Sequence, residues 1–165
     1  KEEMNVIIEI PKGSLNKYEV DKETGLIKLD RANYSLAAYP CEYGFIPQTH
    51  WDDGDALDVI LLATFPVPPG ILVTARPIGV MEMIDGGESD FKVLAVPAED
   101  KRWDDVKDLA DVNAHTLKEI QHFFETYKEL KGKTNEVTVQ GFKGKADGEA
   151  AFERACQLYK EKHAA

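Results

Sequence analysis

Two short stretches of this chain concentrate the side chains that could do chemistry. The first reads Asp52, Asp53, Gly54, Asp55, Ala56, Leu57, Asp58, and the second reads Asp85, Gly86, Gly87, Glu88, Ser89, Asp90. Carboxylates spaced like Asp53, Asp55 and Asp58 around a glycine can converge, because glycine accepts the positive φ that folds a turn back on itself. Crowded carboxylates raise one another's pKa, and a divalent cation is the natural way to keep several of them ionised together. Neither turn contains His or Cys, so the donors are all oxygen and suit magnesium or manganese better than zinc. Either turn alone is equally an ordinary solvated turn or hairpin tip. An EF-hand is the sharper competitor for the first turn, but position 12 counted from Asp53 is Thr64, where such a loop needs a bidentate Glu.

Cations and phenols are scattered through short polar or strand-edge segments: Lys17 beside Glu19, then Arg31, Tyr39, Tyr43, Lys92, Tyr127 and Lys128. Lys and Arg are the usual phosphate binders, and carboxylate-held metals combined with a few placed cations are what phosphoryl-transfer chemistry requires. The formal charge of −10 opposes a broad nucleic-acid surface, which would be rich in Lys and Arg. Cys41 and Cys156 are the only cysteines, too few for a disulfide framework or a zinc site, and both are expected to be reduced.

The elements that must carry these residues can be read from periodicity. Met4 to Ile10 is apolar and β-branched with Pro11 and Gly13 behind it, a strand ending in a turn. Lys17 to Val20, a turn around Lys22 to Gly25, and the alternation from Leu26 to Leu29 form a hairpin. Leu57 to Ala63 is a buried strand. Ile71 to Ile84 is a long one, with a bend or bulge expected at Arg76, Pro77 and Gly79, and it is partnered by Phe91 to Val96. Leu117, Ile120, Phe124 and Tyr127 recur at helical spacing after Asn113 as N-cap, with Gly132 as the stop. Glu136 to Phe142 alternates as a strand, and Asp147 caps a last helix with Phe152, Ala155 and Tyr159 on one side. Strands first and helices late favour an α+β fold, mainly β, with an antiparallel closed sheet.

At 165 residues and 43% hydrophobic, the chain suits one domain spanning 1–165. No run approaches the ~20 apolar residues a spanning helix needs, and no secretory leader is seen. A cytoplasmic location with no membrane partner is the expectation.

Ordered blocks then carry a family resemblance: EIPKG from Glu9, KYEVDKETG from Lys17, the Asp30 and Arg31 pair, YPCEYGFIPQT from Tyr39 and DGDALDV from Asp53. They continue through RPIGV from Arg76, the Asp85 and Asp90 to Lys92 segment, and HFFETYKEL from His122. Together they resemble family I soluble inorganic pyrophosphatases of the prokaryotic type. The resemblance implies a five-stranded, OB-fold-like barrel with flanking helices, and hydrolysis of pyrophosphate to two phosphates without a covalent intermediate. It implies magnesium, several ions per site, with manganese or zinc as substitutes. By position it implies Asp53, Asp58 and Asp90 as ligands of a first metal, with Asp58 reaching a second and Asp55 as general base. Asp85 and Asp90 would hold a third metal and Glu19 a fourth, with Glu9 supporting the site through waters. Lys17, Arg31, Tyr43, Lys92, Tyr127 and Lys128 match phosphate contacts, while Tyr39 shares their block. A homo-oligomer, a hexamer in prokaryotic relatives, is also implied.

The chain departs from the family pattern at Ala56, where Pro or Glu is usual, and at Gly86, where bacterial members often carry Glu. Ala56 rigidifies the turn less than Pro would, which bears on metal affinity rather than on the reaction. Trp51 and Trp103 read as packing groups, His115 and His122 as packing or subunit contacts, Cys41 as buried, and Glu99 to Asp111 as solvated surface. Two other classes compete with the enzyme. A module binding single-stranded nucleic acid would need a basic groove interleaved with aromatics, which the acidic turns oppose. A structural calcium-binding protein leaves the Lys, Arg and Tyr of the same blocks without a role.

Overall fold

Every second residue of MNVIIEI is apolar and turns inward, so Met4, Val6, Ile8 and Ile10 of β1 (Met4–Ile10) are fully buried. The computed structural model describes residues 3–132 and 136–164. The strands that follow are β2 (Asn16–Val20), β3 (Ile27–Ala32), β4 (Glu42–Phe45), β5 (Asp58–Leu61), β6 (Leu72–Asp85), β7 (Glu88–Ser89), β8 (Lys92–Pro97) and β9 (Val137–Gly144). The helices are α1 (Ala114–Thr126) and α2 (Lys145–Lys162).

Strands β1, β4, β5, β8 and β6 pair in that order, and β6 pairs back to β1, closing a five-stranded ring. The mainly β, OB-like barrel expected from the sequence is therefore present. One expectation needs correction: the sheet is not wholly antiparallel, because β5 and β8 run parallel, with Asp58 beside Lys92. The intervening β6 and its long approach supply the crossover such a pair demands. Strands β7 and β9 extend β6, while β2 and β3 form a separate hairpin beside the ring.

The near-continuous apolar run entering β5 is explained by burial on both faces. Ile60 and Leu94 join a cluster with Ile120, Phe123 and Phe124 of α1, whereas Val59, Leu61, Val93 and Ala95 join one with Ala151 and Ala155 of α2. The bend foreseen in the long strand is a register slip between Pro77 and Gly79 against β8.

Local corrections follow from backbone detail. The fifth strand is only Asp58–Leu61, shorter than Leu57 to Ala63. Strand β4 is hidden in the sequence by its brevity. Gly44 in it is obligatory, since a Cβ there would lie 2.1 Å from the Ile7 carbonyl oxygen. Asn113 caps α1 as expected, accepting from the His115 and Thr116 N–H groups. Gly132, at φ 95°, ends a 3-10 turn at Glu129–Lys131 and not α1, which stops at Thr126. Gly144, not Asp147, occupies the N-cap of α2, and Asp147 sits in its first turn, where the helix dipole favours an acid. His115 and His122 are exposed, so neither packs within the chain. Trp51 and Cys41 are buried as expected, and most of Glu99 to Asp111 is exposed.

Candidate active site

The first acidic turn is held by its own backbone. Gly54 adopts φ 88°, its N–H donates to the Trp51 carbonyl at 3.1 Å, and the Trp51 N–H donates to the Asp55 carbonyl at 2.8 Å. Within this loop Asp53 accepts the Asp55 N–H at 3.1 Å, so a side chain and the main chain fix the same turn. Asp58 follows as the first residue of β5, and register places it beside Lys92, the first residue of β8. The second turn brings Asp85 at the end of β6, and Asp90 two residues before Lys92.

These elements converge on a cavity of about 640 Å³. Asp53, Asp55, Asp58, Asp85 and Asp90 all line it. Opposite lie Glu9, Lys17 and Glu19 from β1 and the hairpin, and Tyr39, Tyr43, Lys92, Tyr127 and Lys128 complete the walls. Of the residues given a metal, base or phosphate role from sequence, Arg31 alone stands outside this wall. Its guanidinium lies 5.9 Å from the Tyr127 ring centre and 3.5 Å from Asp30.

Oxygens of Asp53, Asp58 and Asp90 fall within 4.8 Å of one another, a spacing suited to one cation. Lys92, 2% exposed, reaches into this triangle, donating to Asp58 Oδ2 at 3.0 Å, Asp90 Oδ1 at 3.1 Å and Tyr43 Oη at 2.6 Å. Tyr43 in turn donates to Asp58 Oδ2 at 2.8 Å. Burial works against the Lys92 charge, but Asp58 and Asp90 outweigh it and raise its pKa. Burial raises the Asp53 carboxyl to about 7, with Asp90, Asp58 and Asp55 adding repulsion. Asp58 is raised as well, by burial against the opposing pull of Lys92, and Glu9 rises to about 7 through burial while accepting the Val20 N–H.

Lysines pair with other acids around the rim. Lys128 lies 2.7 Å from Asp85, and Lys17 lies 3.2 Å from Asp30 and 4.0 Å from Glu19. Sequence reasoning passed over Lys22, which reaches Asp55 at 3.1 Å, and Glu136, which lines the cavity. Lys22 sits in the tip of the β2–β3 hairpin, where a turn lysine gives no signal of its own. The hairpin's position against the first acidic turn is what makes it relevant.

Fold and site together define a barrel protein whose carboxylate cluster, spaced to hold a cation, sits among lysines and tyrosines suited to a phosphorylated anion. The family model for inorganic pyrophosphatase matches residues 6–160. The chain is 50% identical over 134 residues to an inorganic pyrophosphatase of Geobacillus stearothermophilus, covering 81% of each chain. It is 52% identical over 134 residues to that of Synechocystis sp., covering 81% of this chain and 79% of the relative. The crystal structure of the inorganic pyrophosphatase from Thermus thermophilus superposes with a TM-score of 0.92 at 44% identity, over 96% of this chain and 92% of that one. One from Coxiella burnetii gives 0.92 at 41% identity, over 96% of both chains. The chain belongs to the inorganic pyrophosphatase family.

Proposed function

We propose that this cavity hydrolyses inorganic pyrophosphate to two phosphates with magnesium as the activating cation. The observation that carries the reading is the Asp53, Asp58 and Asp90 triangle beside the buried Lys92, in a chain of this family. The donors fit a hard cation, because they are all carboxylate oxygens and close enough to share one ion. Burial and mutual repulsion keep Asp53 protonated up to about pH 7, a cost that a bound cation would remove.

Asp53, Asp58 and Asp90 would hold the first ion and Asp58 part of a second, with Asp85 and Asp90 holding a third that arrives with substrate, Glu19 a fourth, and Glu9 supporting the site through waters. When bound, such ions lower the pKa of a coordinated water and offset charge on phosphoryl oxygens. Lys17, Arg31, Lys92 and Lys128 bind the two phosphoryl groups and neutralise charge gathering on the departing phosphate, with Tyr43 and Tyr127 donating hydrogen bonds. Asp55 takes the proton from the attacking water as its oxygen bonds to one phosphorus and the bridging P–O bond breaks. No bond to the protein forms. A homo-oligomeric assembly, a hexamer in this reading, is carried over from the family alone.

The deciding experiment is phosphate release from pyrophosphate by the wild type, with magnesium and with a chelator. Release that requires magnesium is expected, and absence of magnesium-dependent release overturns the reading. Proton linkage gives a second expected result. Asp53 carries its proton below about pH 7 and must lose it to ligate, so magnesium affinity should rise with pH up to about 7 and level off above. Calorimetry in buffers of different ionisation heat should therefore show proton release at pH 6 that fades by pH 8.5, roughly one pH unit or more past that pKa. Equal proton release at both pH values would contradict it.

A further inference from the structure

Three carboxylates form the triangle, yet they arrive on two separate pieces of chain, Asp53 and Asp58 on the first turn and Asp90 beyond the second, and their spacing depends on how those pieces are tied. Trp51 is the tie. It stands two residues before Asp53, and its main chain closes the first turn at both the Asp55 carbonyl and the Gly54 N–H. Its indole, 3% exposed, leaves that turn and grips the second one. Nε1 donates to Ser89 Oγ at 3.2 Å, and the ring packs on Phe91 with centroids 5.3 Å apart at 33°. Ser89 and Phe91 are the two neighbours of Asp90. One side chain thus holds the side chains on both sides of Asp90 while Asp90 itself faces Lys92 and the triangle. Across the ring, the Arg154 guanidinium of α2 lies 4.5 Å from the indole centre and donates to Asp52 Oδ1 at 2.8 Å, pinning the same turn to the helix. The Arg154 and Asp52 side chains are 47% and 41% exposed, so their ion pair adds little by itself. The indole, buried and with its N–H used, is the member that cannot move without the turns moving.

The geometry points to Trp51 as a positioning residue of the cation centre, one that sets the separation of Asp53 from Asp90 and hence the affinity for the activating ion. It rests on the reading of that triangle as a metal site. Groups that orient ligands without touching the metal are commonly worth about 10- to 100-fold in affinity. A role confined to core packing would instead lower stability and leave the affinity of the folded protein unchanged.

The test is calorimetric magnesium binding to the metal-free protein, without substrate, alongside the melting temperature of each metal-free variant. Trp51→Leu is expected to weaken magnesium binding by about 10- to 100-fold. Trp51→Phe, which keeps a ring for Phe91 and Arg154 but loses the N–H, should recover part of that loss. Ser89→Ala, which removes only the hydroxyl that Nε1 meets, should weaken binding as Trp51→Phe does. Arg102→Gln, a change on the exposed loop carrying the Asp100 pair, serves as the control and should bind as the wild type does. Wild-type affinity in folded Trp51→Leu and in Ser89→Ala would overturn the inference while leaving the metal site standing. Failure of the wild type itself to bind magnesium would overturn both. If Trp51→Leu does not fold, Ser89→Ala decides alone.

Discussion

Asp58→Asn is expected to remove magnesium-supported phosphate release almost entirely, by a factor of about 10³ or more, which corresponds to the several kcal/mol that a metal ion contributes to such a transition state. Asp58 is where the separate parts of the site meet. It belongs to the carboxylate triangle, and its Oδ2 also receives both the Tyr43 hydroxyl and the Lys92 ammonium. Asparagine keeps the shape and can still accept one of these bonds, so the barrel should fold. The negative charge is what disappears, leaving Asp90 as the remaining carboxylate bonded to Lys92. Steady-state rates across a magnesium titration, with near-ultraviolet circular dichroism as the folding control, test this. A folded Asp58→Asn protein turning over at the wild-type rate at wild-type magnesium would show that the triangle is not the activating site.

The arrangement of charges suggests why such a crowded site is stable before any ion arrives. Lys92 serves Asp58 and Asp90, Lys128 serves Asp85, and Lys22 serves Asp55. Among the described residues Asp53 has no ion pair, and its carboxyl, like that of Glu9, is pushed to about 7. Lys92 and Lys128 act as internal counter-ions, each holding its acids in place, whereas the Lys22 pair is exposed and adds little. Opposite charges at these distances in a partly dry cavity stabilise one another more than surface pairs do. In the proposed reaction the same two ammonium groups would neutralise phosphoryl oxygens with little reorganisation on binding.

Much of the site was legible because its chemistry is local in sequence. Asp53, Asp55 and Asp58 share one turn, and a glycine among clustered acids is visible without a fold. What could not be read was whatever depends on register and closure. The parallel pairing of β5 with β8 sets Lys92 beside Asp58, yet they are far apart in sequence and periodicity carries no sign of direction. Strand β4 escaped notice because its four residues are too few for a period to show, although Gly44 in it has no room for a Cβ and Tyr43 in it bonds Asp58. Gly132 and Asp147 misled for a related reason. Each is a good cap by type, and each lies a few residues from the helix end that tertiary packing selected. Trp51 shows the converse. Its burial was expected from its type, but the bond to Ser89 joins segments that only the closed barrel brings together.

Asp55→Asn should separate the chemical step from metal binding, because Asp55 lies outside the three-carboxylate triangle and the bond that shapes the turn uses its main chain. The Asp55 N–H, which a substitution leaves intact, is what Asp53 accepts. A carboxamide in place of the acid could still accept a hydrogen bond from water but could not take its proton, so kcat should fall by about 10² to 10⁴, the usual worth of a positioned general base. Magnesium affinity measured calorimetrically should change far less. The Lys22 contact at 3.1 Å would lose its charge partner, but both side chains are largely exposed and stability should scarcely respond. The expected signature is a low kcat with near wild-type magnesium dependence, opposite to that of Asp58→Asn. A rate within a factor of about three of wild type, under 1 kcal/mol of barrier, would remove Asp55 from the proton transfer. It would also leave the water to be deprotonated by another group facing the same cavity, for which Glu9 and Glu19 across the site are the carboxylates within the walls to test next.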